Sequence, residues 1–298
     1  MFGKPLSVIL SALALTTCTG VESAPPQQSV PPFSEWQDQC NGKDGWTDPG
    51  PPFHVFGNTY YVGTCGITAL LVTAPDGHVL LDSGMTDAAP LVAANIERLG
   101  FRLSDVKWLL SSHEHLDHVG ATAELKRLTG AQVVALEVAK QPLESGKPYP
   151  EDPQAGIPPF EAFTVDRTLA DGETLAIGGL TITAHSTPAH TPGSTSWTWQ
   201  SCENGTCRTI AYADSITTPA AEGYRFSDHP DYVAKVRTGF DKVEQLDCGI
   251  LLTPHPGASG MKERLAGERP LTDPAACAAY AEAARARFER LLLEEAGG

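Results

Sequence analysis

Residues 111–120, SSHEHLDHVG, follow the apolar run VKWLL and set three histidines, a glutamate and an aspartate in six positions. A strand carrying that many donors to its end constrains the rest of the chain. One short loop seldom closes a metal's coordination, so further donors must reach the same edge from other strands. His113 and His115 are two apart, which in extended or tightly turned backbone points both rings to one side, where they can grip one ion. Asp117 and His118 come just before the turn into the next helix at Gly120 and face an adjacent volume, which predicts a second ion.

Two more histidines have the same setting. His190 lies in PAHTPGS, a Pro/Gly-rich turn between strands, and His255 lies in LLTPHPG, a strand followed by a Pro-flanked turn. The six residues divide into two triads: His113, His115 and His190, then Asp117, His118 and His255. Nitrogen-rich ligation with one carboxylate and no thiolate suits Zn²⁺, although iron and manganese accept the same donors. Three ligands per ion leave open positions, which is the mark of a catalytic site; structural zinc is closed by four. Among the other histidines, His54, His78 and His229 read as surface or turn residues. His185 ends the strand TITAH and reads as packed and hydrogen-bonded. Glu114 points away from His113 and His115 and either supports the loop or faces solvent.

The chain has 298 residues, 41% of them hydrophobic and 19% charged, and reads as one large layered domain. A net charge of -15 with no basic cluster excludes a nucleic-acid partner, since the chain would repel phosphate backbones. No protein partner is implied, and a monomer is expected. Residues 1–24 read as an export signal: Lys4, the apolar LSVILSALAL, then small residues, with cleavage near Gly20 to Ala24. The remainder, 25–298, is the single domain with a Pro-rich arm, APPQQSVPPF, at its start. The alternative is a lipoprotein signal, with LTTC as the lipobox and Cys18 acylated. Either reading sends the chain to the periplasm. Of seven cysteines, all but Cys18 lie beyond the signal, which leaves six for disulfides in an oxidising compartment. Cys202 and Cys207 flank the short turn ENGT. The other four sort as Cys40 with Cys65 and Cys248 with Cys277, with buried free thiols as the alternative.

Strand-like runs FHVFGNTYYVG, ITALLVTA and HVLLDSG, broken by Gly57-Asn58 and Asp76-Gly77, predict antiparallel β structure at the start. MTDAAPLVAANIERLG and ATAELKRLTG read as helices on either side of the motif strand. AQVVALE reads as a strand, and a long Gly/Pro-rich loop runs from about Gln141 to Pro159. Strands LTITAHST, STSWTWQ and TIAYADS follow, then the helix PDYVAKVRTGFDKVEQLD, the buried strand CGILLTPHPG and a final amphipathic helix. A β-rich half with helices succeeded by another predicts an α/β fold of αββα type, two mixed β-sheets flanked by helices.

With these residues in place, the sequence resembles the metallo-β-lactamase superfamily, whose signature is HxHxDH followed by two distant histidines. AHSTPAHTPGSTSWTW, IAYADSITTP and LLTPHPGAS narrow the resemblance to subclass B3, from about Trp36 to the final helix. The resemblance implies the αββα fold, the six ligands above and two Zn²⁺ per chain. Ser215 stands where the first two subclasses place a metal-binding cysteine. The resemblance also implies that Ser215 and Thr217 hold a substrate carboxylate, and that the Pro-rich arm and the loop around Gly156 and Ile157 border the groove. Cys248 with Cys277 matches the family's C-terminal disulfide.

The expected function is zinc-dependent hydrolysis of the β-lactam amide of penicillins, cephalosporins and carbapenems, giving antibiotic resistance. Zinc brings the pKa of bound water to about 7, so hydroxide is available at neutral pH. Asp117 is the expected catalytic residue, ligating the second ion and orienting that hydroxide. Asp82, in LLDSG, is expected to orient the ligand loop. A hydrolase of the same fold acting on a lactone or thioester is the alternative; in those relatives an aspartate bridges the metals, and Asp214 in YADS resembles it. An iron oxidoreductase of the fold would replace a motif histidine with a carboxylate, and His115 is retained. A non-catalytic zinc module would need the open positions closed.

Overall fold

The computed structural model describes Met1, residues 30–154 and residues 156–297. Apart from Met1, the stretch read as an export signal, Cys18 included, lies outside the described residues. Seven strands form the first sheet in chain order: β1 (Phe53–Phe56), β2 (Thr59–Tyr61), β3 (Leu70–Val72), β4 (His78–Leu81), β5 (Val106–Leu110), β6 (Gln132–Leu136) and β7 (Arg167–Leu169). Helix α1 (Phe33–Gln39) precedes β1 and α7 (Met261–Leu265) precedes the final helix; the first four strands are antiparallel hairpins, and β4 to β7 then run parallel, with α2 (Ala89–Arg98) between β4 and β5, α3 (Leu116–Val119) and α4 (Thr122–Thr129) between β5 and β6, and α5 (Lys140–Ser145) between β6 and β7. Every residue of β4 is buried, as expected for a strand covered on both faces.

The second sheet comprises β8 (Thr174–Ile177), β9 (Leu180–Ser186), β10 (Thr195–Glu203), β11 (Thr206–Tyr212) and β12 (Ile250–Leu252), in the order β12-β11-β10-β9-β8. It is antiparallel except for the β11–β12 pair. Trp197, Trp199, Ile182, Tyr61 and Leu81 fill the space between the sheets. Val92, Ile96 and Leu125, spaced by helical turns, cover the outer face of the first sheet. Val236, Phe240 and Val243 of α6 (Pro230–Glu244), with Tyr280, Ala284 and Phe288 of α8 (Ala276–Gly297), cover the second. This is the αββα layering that the order of elements predicts.

Cys40 joins Cys65, Cys202 joins Cys207 across the β10–β11 hairpin, and Cys248 joins Cys277, fastening the loop before β12 to α8. Among the described residues no helix is long and apolar enough to cross a membrane.

The structure corrects two local readings. The loop from about Gln141 to Pro159 is not irregular throughout: Lys140–Ser145 is a helix, α5, stopped at Gly146 in the left-handed region (φ 69°). Leu143 inside it is buried in the core. His78 is neither surface nor turn. It is buried on β4 with its ring edge-on to Phe101, a partner supplied by the loop after α2.

Candidate metal centre

The strand ends β4, β5, β11 and β12 and the turn after β9 meet at one edge of the sandwich. They carry Asp82, His113 to His118, Asp214, His255 and His190 respectively. Backbone bonds lock this edge together: Thr195 N–H donates to Ser112 O at 2.7 Å, and Thr68 N–H to Pro254 O at 2.7 Å.

His113, His115 and His190 each present a donor atom within 4.8 Å of the others, and His113 also groups with Asp117 and His118 at that spacing. The remaining distances bring in His255. Asp117 Oδ2 is 3.1 Å from His118 Nε2 and 3.5 Å from His255 Nε2, and the two histidine nitrogens are 3.3 Å apart. The structure thus brings together all six expected ligands, as two adjoining groups that meet at His113.

Each ring is held from behind. His113 Nδ1–H donates to Asp214 Oδ1 at 2.8 Å, His115 Nε2–H to Asp152 Oδ2 at 2.7 Å, and His118 Nδ1–H to Asp82 Oδ2 at 3.0 Å. His190 Nδ1–H donates to Thr217 O at 2.9 Å and His255 Nδ1–H to Gly66 O at 3.2 Å. With the outer nitrogen donating, each ring that is neutral turns the lone pair of its opposite nitrogen inward. Outer bonding of this kind fixes the tautomer and orientation of metal-binding histidines. His113 Nε2 is buried without a hydrogen-bond partner. A buried orphan acceptor costs about 1–3 kcal/mol; a cation relieves it. The donor set therefore fits a metal.

The electrostatics agree. Burial, then the neighbouring imidazoles, holds His113 well below its ordinary pKa, and burial holds His190 at about 3 and His255 at about 4. These rings are neutral, the form that ligates. Burial also works against a charge on His118, but Asp117 and Asp82 beside it outweigh that and raise it to about 10. For Asp117, burial is outweighed by His118 and its neighbours, and the carboxylate stays ionised far below its usual range.

Asp82 adopts a left-handed backbone (φ 59°) at the end of β4, uncommon for a non-glycine residue. From there its carboxylate accepts from Ser112 N–H at 2.6 Å, Ser112 Oγ at 2.7 Å, Tyr212 Oη at 2.6 Å and His118.

Glu114 takes the supporting one of its two expected places. It points away from the metal groups and does not face solvent. It is buried, accepting from Thr191 Oγ1 at 2.8 Å and Gly193 N–H at 3.0 Å, and burial raises its pKa. It ties the HxHxDH loop to the turn carrying His190. A Cβ at Gly193 would stand 2.5 Å from Glu114 Oε2, so any side chain there would push the carboxylate off its bonds. Of the other histidines, half-buried His185 bonds to Thr198 Oγ1 at 2.8 Å, His54 is half-buried on β1, and exposed His229 stacks on Tyr224.

Ser215 is buried directly after Asp214, and Thr217 is exposed at the rim with Oγ1 3.3 Å from His190 Nδ1. Three residues at the centre escape the sequence reading. Asp152 comes from the irregular loop after α5, as does Gln154, whose Nε2 is 3.3 Å from His190 Nε2. Trp46, 49% exposed, lies with its ring centroid 5.9 Å from that of His255. For Asp152 and Gln154 the signal was the implied approach of the loop around Gly156 and Ile157 to the groove; the sequence reading held none for Trp46.

A family model for the metallo-beta-lactamase superfamily matches residues 62–203. The chain is 55% identical to the metallo-β-lactamase MIM-1 from Novosphingobium pentaromativorans; the match covers 89% of this chain and 98% of that one, with a TM-score of 0.87. MEM-A1, a subclass B3 metallo-β-lactamase isolated from a soil metagenome library, is 42% identical over 85% of this chain and 99% of its own, with a TM-score of 0.80. A hydroxyacylglutathione hydrolase of Rhodopseudomonas palustris (strain BisB18) is 37% identical over 116 residues, 37% of this chain and 36% of that relative. The chain spans less than half the length of the first curated relatives it matches. The chain belongs to the metallo-β-lactamase superfamily. It is a hydrolase of that superfamily with subclass B3 enzymes among its structural neighbours.

Proposed function

We propose that the chain is an exported, monomeric zinc hydrolase that opens the β-lactam ring of penicillins, cephalosporins and carbapenems and so confers antibiotic resistance. Two Zn²⁺ are assigned, one to His113, His115 and His190 and one to Asp117, His118 and His255. Nitrogen and oxygen donors with open positions suit catalytic zinc. The observation that carries the substrate class is Asp214. In the thioester and lactone hydrolases of this fold an aspartate bridges the metals. Here Asp214 is committed to the outer nitrogen of His113 and is buried behind the ring. Near full-length similarity to MIM-1 supports the same reading.

Bound zinc supplies a Lewis acid for the amide carbonyl and lowers the pKa of water at the site. The chain's own residues do the rest. Asp117 orients the attacking water, its ionised carboxylate accepting a hydrogen bond from it. Ser215 and Thr217 hold the carboxylate beside the scissile ring, directly or through water. Gln154 and Trp46 border the groove, the tryptophan offering an apolar face to the substrate's side chain. Three disulfides suit the periplasm.

The test is hydrolysis of a chromogenic cephalosporin, a carbapenem, a lactone and a glutathione thioester by purified protein, before and after chelation. Chelator-sensitive turnover of both β-lactams is expected. Turnover of the lactone or thioester with neither β-lactam opened would sink the assignment.

A further inference from the structure

Of the six metal-facing residues, His255 is held least firmly by its own contacts. Its outer bond, to Gly66 O at 3.2 Å, is the longest of the five that fix the histidine rings. It alone lies outside the two donor groups that close to within 4.8 Å. Whether its ring reaches an ion beside Asp117 and His118 therefore depends on where the backbone sets it down.

That backbone is the turn 253–260, between β12 and α7, and one side chain grips both of its ends. Arg264, on α7, donates from Nη2 to Leu251 O in β12 at 2.7 Å and from Nη1 to Ser259 O at 2.6 Å. The residue is only 6% exposed, and its Nε is buried without a partner, so all of its bonding goes to these two carbonyls. Between them the turn folds onto His255: Thr253 Oγ1 and Ala258 N–H both donate to His255 O, at 3.1 and 3.0 Å. Ser259 holds a left-handed backbone (φ 57°), uncommon for a residue with a side chain, and its Oγ lies 3.0 Å from Thr253 Oγ1.

Burying a cation is costly unless it is hydrogen-bonded. Burial presses on the charge of Arg264, and Asp273 and Glu263 nearby support it. A neutral side chain could fill the same volume without that cost. What it could not supply is a rigid planar fork, which sets the separation and direction of two acceptors at once.

We propose that Arg264 is a positioning residue for the second metal ion: its fork fixes the span of turn 253–260 and so holds His255 where it completes the set with Asp117 and His118. This rests on the ligand set assigned above.

The test compares the full-length protein with His255→Ala, Arg264→Met, Arg264→Lys and Leu265→Ala. Zinc affinities are read by competition titration against a chromogenic chelator, and stability by thermal melting. Leu265 lies on the same helix and packs on the core, so Leu265→Ala reports what destabilisation alone does. Wild type should bind two ions, and His255→Ala should lose the second. Arg264→Met should weaken the second ion at least about tenfold, as when a ligand's support is removed, with the first unchanged. Arg264→Lys keeps the charge without the fork and should fall between; it also carries the test if Arg264→Met does not fold. Leu265→Ala should melt earlier with both affinities kept. Second-ion affinity that stays at the wild-type value in the Arg264 variants, falls equally for both ions, or falls as far in Leu265→Ala overturns the proposal. If His255→Ala leaves both affinities unchanged, the ligand set itself is wrong, and that failure is read from a separate variant.

Discussion

His115 Nε2 stands 2.7 Å from Asp152 Oδ2, with both side chains buried. This bond leaves Nδ1 as the nitrogen that His115 turns inward, whereas His113 and His190 turn Nε2 inward. Asp152→Ala should therefore weaken metal at the first triad by about 10–100-fold, the usual effect of losing a ligand's outer partner. Asp152→Asn, which keeps an acceptor, should restore part of that. A competition titration against a chromogenic chelator reads the affinities; equal affinity in all three proteins would remove Asp152 from the centre.

Asp117→Asn should keep the fold and the metal of the first triad while turnover falls by about 10²-fold or more, the order of loss when a reactant is no longer held in its attacking geometry. Circular dichroism, metal content and kcat together check this. Unchanged kcat would take Asp117 out of the chemistry.

Glu114→Ala leaves the Gly193 N–H and the Thr191 hydroxyl without their buried acceptor and should cost about 1–3 kcal/mol of stability. Glu114→Gln retains a carbonyl oxygen and should lose less. Denaturant unfolding of the two variants distinguishes this bridge from a spacer, for which both changes would be neutral.

The metal-free protein should be least stable at the two ends of the pH range. His190 at about 3 and His255 at about 4 lie below the unfolded value of 6.5, so the unfolded chain takes up the protons and stability is lost as pH falls below about 6.5. Each such histidine contributes a slope of about 1.4 kcal/mol per pH unit in that window. His118, raised to about 10, has the opposite sign: its contribution is complete below 6.5 and disappears as pH climbs towards 10. Melting temperatures of chelated protein from pH 4 to 10 should pass through a maximum. A monotonic rise or fall would contradict these assignments.

The ligand loop was legible because its chemistry is local. HxHxDH at the end of an apolar run and single histidines between a strand and a proline mark a common edge without any knowledge of sheet order. Partners contributed by distant chain were not legible. Asp152 lies on an irregular loop with no periodicity, and only the fold carries it to His115. For Glu114 the choice between supporting the loop and facing solvent could not be made because its burial depends on Thr191 and Gly193, and His78 was misread because its burial depends on Phe101. The αββα layering was readable from alternating hydrophobic runs, yet the short α5 was not, since a single turn or two of helix leaves too few repeats for a period to show.

Asp82 gathers bonds from Ser112 and His118 on the first sheet's side and from Tyr212 on the second. One carboxylate thus braces the cage from both halves of the sandwich, using hydrogen bonds that need no ion. In small zinc domains the empty protein unfolds because binding and folding are one event. Because this cradle is tied to both sheets, the fold is expected to outlast removal of a bound ion, so that reloading after chelation is a matter of exchange and circular dichroism of the chelated protein stays unchanged.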